Sequence, residues 1–281
     1  MFFVDNNGVR LHCVTLGNGP AIVLCHGLVF GSMASWYFSI AAKLAQRYRV
    51  ILFDKRGHGK SDMTSAGYDI DTLASDLAAV IEHTVPRGED VTLIGHSYGA
   101  LVALRYALNR KRRVRDLILV DAPLPASRYV FPSFAKITSR EGLETHLSAL
   151  LPPNLSTSSR RIGRIKERLE TLLLNSSLRA DVASAGDIID AELRRLDTPT
   201  LCIYGRQSDC AEVGLRLKKI LPRAKLEWIE CGHYILEEAP QELLGVIESY
   251  LDSQEGQEWP VVERRQLVAN GSLVIERRLT R

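Results

Sequence analysis

No apolar run in this chain of 281 residues approaches the length of a bilayer span, and Met1-Phe2-Phe3-Val4-Asp5-Asn6-Asn7 lacks the basic stretch and apolar core of an export signal. Neither membrane insertion nor export is expected. A charge excess is missing too: 36 Lys and Arg against 33 Asp and Glu leave a formal net charge of +3, too little for an electrostatic footprint on nucleic acid. The expected partner is a small or apolar molecule. Cysteine is sparse and odd in number. Cys13, Cys25, Cys202, Cys210 and Cys231 show no paired metal spacing, and three lie in or beside apolar runs, where a free cysteine acts as a small buried hydrophobe. A reduced, cytoplasmic protein is the expectation. There is neither a metal-ligand cluster nor a glycine-rich phosphate loop, so no metal and no cofactor are expected.

What the chain has is short strand-like runs, the first of them unbroken and apolar, alternating with helical patterns. The runs are Ala21-Cys25, Val50-Phe53, Val91-Ile94, Leu117-Val120, Thr200-Tyr204 and Lys225-Ile229, preceded by a hairpin that turns at Asn6-Asn7-Gly8. Segments such as Leu73-Glu82, with leucines at i and i+4, separate most of them. This alternation predicts an α/β fold with a mostly parallel central sheet and helices on both faces. Between Asp121 and Thr198 the strand signal vanishes and amphipathic stretches such as Ile162-Leu173 take over, which predicts a helical lid inserted into one core. The expected organisation is a core of 1–121 and 198–252, a lid of 122–197 and an extension of 253–281. In the extension, Val261-Val268, Asn270-Gly271 and Leu273-Leu279 read as a β-hairpin. A lone hairpin is marginal in water, so it would pack on the body, support a homodimer or add to a partner's strand, with a loose tail as the alternative.

Gly95-His96-Ser97-Tyr98-Gly99 sits between the run Val91-Ile94 and the helical run Ala100-Tyr106. A strand turning at once into a helix around Gly-x-Ser-x-Gly is the layout of a nucleophile elbow, with glycines where side chains would collide and Ser97 pushed out at the helix mouth. A serine hydroxyl needs a base, a group to orient the base and donors for the oxyanion. Acid and base follow the serine in that order along the chain.

Seven histidines compete for the role of base. His12, His83 and His146 lie on a hairpin, near a helix end and in the lid. His96 is the elbow's variable position, its ring pointing away from the Ser97 side chain, and His58 reads as a hydrogen bonder within its own loop. His233, just past the run ending at Ile229, is selected. Asp209, in the loop after Thr200-Tyr204, is selected as the acid. Asp121 also stands at the carboxyl end of a strand and remains open as the alternative, its plain reading being a cap for the lid. The oxyanion donors are placed at the N–H groups of Leu28, after His26-Gly27, and of Tyr98. His26, Gly27, Val29, Phe30 and Trp36 are expected at the substrate, although the aromatic side chains could equally be core. The run Arg110-Lys111-Arg112-Arg113-Val114-Arg115 reads as a solvated helix end, with docking of an acidic carrier protein the alternative.

Over about positions 8 to 252 these motifs resemble the α/β-hydrolase superfamily. They are His26-Gly27, the loop from Asp54 to Asp62 with Arg56-Gly57-His58-Gly59, the elbow, and Gly232-His233 followed by Glu237-Glu238-Ala239-Pro240. The resemblance implies the α/β-hydrolase fold and the lidded branch that contains esterases, lactonases, thioesterases and carbon–carbon bond hydrolases. Ser97 sets the chain apart from branches with an aspartate nucleophile. The implied activity is cleavage of an ester, lactone or thioester of a small apolar acyl substrate, with diketone cleavage or ligand reception as alternatives.

Overall fold

A computed structural model describes residues 1–29, 31–109, 114–150, 159–254, 264–267 and 273–276. The chain opens with β1 (Phe2–Asn6) and β2 (Val9–Leu16), an antiparallel pair joined by Asn7 and Gly8. Both turn residues have positive φ, 54° and 84°, as a two-residue hairpin turn requires. Next come β3 (Ala21–Cys25), α1 (Met33–Trp36), a π-helical turn over Tyr37–Ala41, α2 (Ala42–Leu44) and β4 (Arg49–Phe53). They are followed by α3 (Ile70–Thr84), β5 (Val91–His96), α4 (Tyr98–Asn109) and β6 (Val114–Val120). Residues 110–113 of the basic run lie outside the described residues, while Val114 and Arg115 already belong to β6.

The helical excursion leaves the sheet after β6 as α5 (Ala126–Tyr129), a 3-10 turn at Phe131–Ser133, α6 (Arg140–Leu150), α7 (Ser159–Leu174), α8 (Leu178–Ser184) and α9 (Asp190–Leu193). Among the described residues it contains no strand. The chain then returns as β7 (Thr200–Gly205), α10 (Ala211–Ile220), β8 (Ala224–Ile229), α11 (Ile235–Glu238) and α12 (Pro240–Gln254).

Eight strands form one sheet in the order β1-β2-β4-β3-β5-β6-β7-β8, parallel from β4 through β8 and antiparallel at β1 and β2. β3, β5 and β7 are buried at every position, which is why they are continuous apolar runs rather than alternating ones. The α/β-hydrolase fold is thus established in its sheet and its flanking helices.

α3 starts where Asp69 accepts the N–H and hydroxyl of Thr72 at 2.9 and 2.6 Å. It buries Leu73, Leu77, Val80 and Ile81 at helical spacing. Its one buried acid, Asp76, takes two 2.7 Å bonds from the Arg56 guanidinium and one from Asn6, tying the loop after β4 to the helix. The excursion joins the same core through Phe134, Leu143, Leu169 and Leu172. Arg168 also donates to the Gly59 carbonyl at 2.6 Å, and Asp181 accepts the Tyr68 N–H at 2.9 Å.

Two compact units divide the chain, Met1–Gly245 and Val246–Arg281. The first holds the eight-stranded sheet. In the second, β9 (Arg264–Leu267) and β10 (Leu273–Glu276) pair antiparallel from Arg264 opposite Glu276 to Leu267 opposite Leu273. The expected turn at Asn270-Gly271 lies outside the described residues.

Candidate active site

Ser97 has φ +55°, a left-handed conformation that costs a non-glycine residue on the order of 1–3 kcal/mol and persists only where its surroundings enforce it. The flanking glycines show what enforces it. A Cβ on Gly95 would stand 2.4 Å from the Gly99 carbonyl oxygen, and one on Gly99 would stand 2.4 Å from the carbonyl oxygens of both Cys25 and His26. The Ser97 N–H donates to the Val120 carbonyl at 2.9 Å and that of Asp121 to Ile203 at 2.8 Å. These bonds prolong the ladders between β5, β6 and β7 by one residue and bring Ser97 and Asp121 to the same sheet edge.

There the two side chains meet an imidazole from the loop after β8. His233 Nε2 lies 2.9 Å from Ser97 Oγ, and His233 Nδ1 lies 2.6 Å from Asp121 Oδ2. With Nδ1–H donated to the carboxylate, Nε2 is left as the acceptor for the serine hydroxyl. Asp121 is fully buried, and its oxygens also accept the Gly205 N–H at 3.0 Å and the Ser208 hydroxyl at 2.5 Å. Its own φ of +48° is the tight turn that aims the side chain back over the edge.

Ser97 and His233 are therefore joined as the sequence suggests, whereas Asp209 is not the carboxylate on His233. Asp209 is exposed, on the loop whose Ser208 supports Asp121. Both aspartates follow a strand that ends at this edge, but β6 is the direct neighbour of β5 and β7 lies one strand further out.

Residues after β3 form a second wall. A Cβ on Gly27 would sit 3.4 Å from Ser97 Cβ, so this loop passes directly over the serine. Val29 has φ +69°, unusual for a β-branched residue, and its N–H donates to His58 Nε2 at 2.9 Å. His58 Nδ1 in turn bonds the Arg56 carbonyl at 2.8 Å, so His58 serves its own loop and the facing one together. Leu28, Gly27 and Val29 line a cavity of about 330 Å3 with Ser97 and His233. Tyr129, Val130 and Phe134 of the excursion line it too, as do Gln207, Asp209, Tyr234 and Glu237. Burial pushes the Glu237 carboxyl up to about 7.

Two expected substrate contacts come out differently. Trp36 is fully buried and does not line the cavity, because α1 turns its indole into the core. The His26 ring is consumed by backbone: Nδ1 bonds the Gly27 carbonyl at 2.7 Å and Nε2 accepts the Lys55 N–H at 3.0 Å. The Tyr98 side chain is buried too, its hydroxyl donating to the Tyr68 carbonyl at 3.1 Å, which leaves only its backbone at the serine. Phe30 lies outside the described residues.

Two residues at the site escaped the sequence. His96 lines the cavity and donates from Nε2 to the His233 carbonyl at 2.9 Å; burial holds its pKa down at about 4, so it is a neutral prop. Ser208 braces Asp121. Ser208 carries no periodic or motif signal, and His96 stands only at the elbow's variable position, which the motif leaves without a role. Among the described residues Asp121, Cys210 and His233 come close enough to converge on a metal ion, but the first and third are already bonded to each other.

Comparisons with known proteins fit this architecture. Residues 22–246 match the model of the "Alpha/beta hydrolase family". An uncharacterised protein of Mycobacterium tuberculosis is 28% identical over 297 residues, covering 94% of this chain and 85% of its own. A 2-(acetamidomethylene)succinate hydrolase of Mesorhizobium japonicum is 26% identical over 268 residues, covering 89% and 94%. The crystal structure of a lipase candidate from Acinetobacter baumannii superposes with a TM-score of 0.75 at 21% identity, covering 90% of this chain and 91% of that one.

Proposed function

The chain belongs to the alpha/beta hydrolase family, and we propose that it is a serine hydrolase cleaving a carboxylic ester, lactone or thioester of a small apolar molecule through an acyl-enzyme on Ser97. The observation that carries this reading is the unbroken hydrogen-bond line from Ser97 Oγ through His233 to Asp121, at 2.9 and 2.6 Å. His233 Nε2 takes the hydroxyl proton as Ser97 Oγ bonds to the acyl carbon. Asp121 holds the imidazole in the required tautomer and stabilises the imidazolium. The oxyanion is received by the N–H groups of Leu28 and Tyr98; one such donor contributes about 2.7–4 kcal/mol to the transition state. His233 then hands its proton to the leaving oxygen or sulfur. Water, deprotonated by the same imidazole, adds to the acyl carbon; as the bond from that carbon to Ser97 Oγ breaks, His233 returns the proton to Oγ, releasing the acid and free Ser97.

A cavity of about 330 Å3 suits a small ligand, at the lower end of the usual range for such sites. Its lining among the described residues holds Asp209 and Glu237 but no lysine or arginine, which supports uncharged substrates over carboxylate-bearing ones. The relative from Mesorhizobium japonicum carries a hydrolase name for a succinate derivative. The test is steady-state turnover on a panel of short aryl esters, lactones, acyl thioesters and diketones. Ester, lactone or thioester turnover that vanishes in Ser97→Ala is the expected result. Cleavage of diketones alone would replace this reading with carbon–carbon bond hydrolysis by the same residues, and tight ligand binding without turnover would replace it with a receptor.

A further inference from the structure

Lys55 is 0% exposed, yet it is neither apolar nor part of the proton relay. Lysine is almost never fully buried without partners. The Asp54 carboxylate beside it in sequence attracts its ammonium, but the Asp54 oxygens accept the N–H groups of Met33 and Lys60 and bond His12 Nδ1. Instead Nζ donates to two carbonyl oxygens of the loop over the serine, that of His26 and, at 2.9 Å, that of Gly27.

The second of these bonds bears on catalysis through covalent geometry. The Gly27 carbonyl and the Leu28 N–H belong to one planar trans peptide and point in opposite directions. A donor that fixes the carbonyl therefore fixes where the N–H is aimed. His26 Nδ1 grips the same carbonyl at 2.7 Å. The next peptide is held from its other side, where His58 Nε2 accepts the Val29 N–H at 2.9 Å. Both peptides flanking Leu28 are thus clamped, by His26 on the loop itself and by Lys55 and His58 from the turn after β4. Hydrogen bonds to a carbonyl also polarise its peptide and strengthen the N–H as a donor. A cationic donor does so more than a neutral one.

We propose that Lys55 is a positioning residue of the oxyanion site: its ammonium, bonded to the His26 and Gly27 carbonyls, aims and polarises the Leu28 N–H toward the acyl oxygen. The inference rests on the serine-hydrolase reading above. Burial pushes the Lys55 ammonium down to about 7, the cost of holding a cation where water would otherwise solvate it. A side chain needed only to fill this space would be met by leucine or methionine.

The test compares wild type with Lys55→Met, which keeps length and apolar bulk but donates nothing, and Lys55→Gln, which keeps a donor without the charge. Two quantities are read: kcat and KM on an ester, and the inhibition constant of phenylboronic acid, which adds to a catalytic serine as a tetrahedral anion. Loss of one oxyanion donor commonly lowers kcat by about 10²–10³. Lys55→Met is expected to lose about 100-fold in kcat with KM within about threefold, and to bind the boronic acid weaker by the factor lost in kcat/KM. Lys55→Gln should fall between it and wild type in both. A folded Lys55→Met with kcat and boronate affinity near wild type overturns the proposal. So does a loss of kcat in which boronate affinity is unchanged, since the oxyanion site is then intact. Should Lys55→Met not fold, Lys55→Gln decides by the same two quantities. If wild type itself neither turns over esters nor binds the boronic acid, the serine-hydrolase reading fails first, and that result is separate from any difference among the variants.

Discussion

Asp121 holds three hydrogen bonds in full burial, from Gly205, Ser208 and His233, and each donor fixes a different direction of its carboxylate. An amide there would present an N–H to one of these donors and invert the His233 tautomer. Replacing the acid of such a triad by its amide costs about 10⁴ in kcat. Asp121→Asn is accordingly expected to lose about that factor, while Asp209→Asn, exposed and off the imidazole, stays within about threefold in the same ester assay. Comparable losses in both variants would remove Asp121 from its assigned place. Ser97 and His233 were legible in the sequence because each stands in a motif whose geometry is local. The acid was not: Asp121 and Asp209 both follow a strand and precede His233, and only the sheet order decides which one reaches the ring. Lys55 and Ser208 left no trace because their partners are backbone or a distant side chain, invisible to spacing.

At the scale of elements, the elbow is a contact between backbones. Gly99 faces the carbonyl oxygens of Cys25 and His26, at 2.4 Å from where a Cβ would be. Neither oxygen belongs to a flexible side chain, so β3 or α4 must shift. Overpacking of this kind typically costs about 1–3 kcal/mol and occasionally more. Gly99→Ala should lower the urea unfolding free energy by at least that amount and abolish turnover. Gly163 is the control: it lies inside α7 with nothing within 4 Å of a Cβ, so Gly163→Ala should raise stability by about 0.5–1 kcal/mol through helix propensity alone. The second anchor is Arg56 with Asp76. Breaking a buried ion pair from one side costs about 3–5 kcal/mol, and Asp76→Asn is expected to show a loss of that order in the same denaturation. The inner parallel strands β3, β5 and β7 were readable as apolar runs because both of their faces are covered, whereas the edge strand β8 exposes Lys225 and Glu227. The excursion was readable as helical from the absence of strand signal, but its shaping of the cavity by Tyr129 and Phe134 depends on packing that no periodicity encodes.

Across the whole molecule, His26, His58 and His96 are buried and resist protonation, His58 down to about 3 and His96 down to about 4, in each case mainly because burial penalises the cation. Unfolded imidazoles take up protons near pH 6.5, so between there and pH 4 the unfolded chain binds more protons than the native one. Stability from these groups is therefore complete above about pH 6.5 and is lost as pH falls toward 4, with a slope of up to about 1.4 kcal/mol per pH unit for each histidine. Urea midpoints at pH 7.0 and 4.5 check the sign. His96→Gln should show a smaller drop between them than wild type, and an equal or larger drop would contradict the burial of a neutral His96.

The central claim is that Ser97 is a nucleophile activated by His233, and intact-mass spectrometry after a fluorophosphonate treatment at neutral pH tests it most directly. Wild type should gain one phosphonyl group, mapped to Ser97 by peptide analysis, with none on Ser97→Ala and a rate at least about 100-fold lower on His233→Ala, the scale of general base assistance. An adduct on another residue, or equal labelling of wild type and Ser97→Ala, would contradict it.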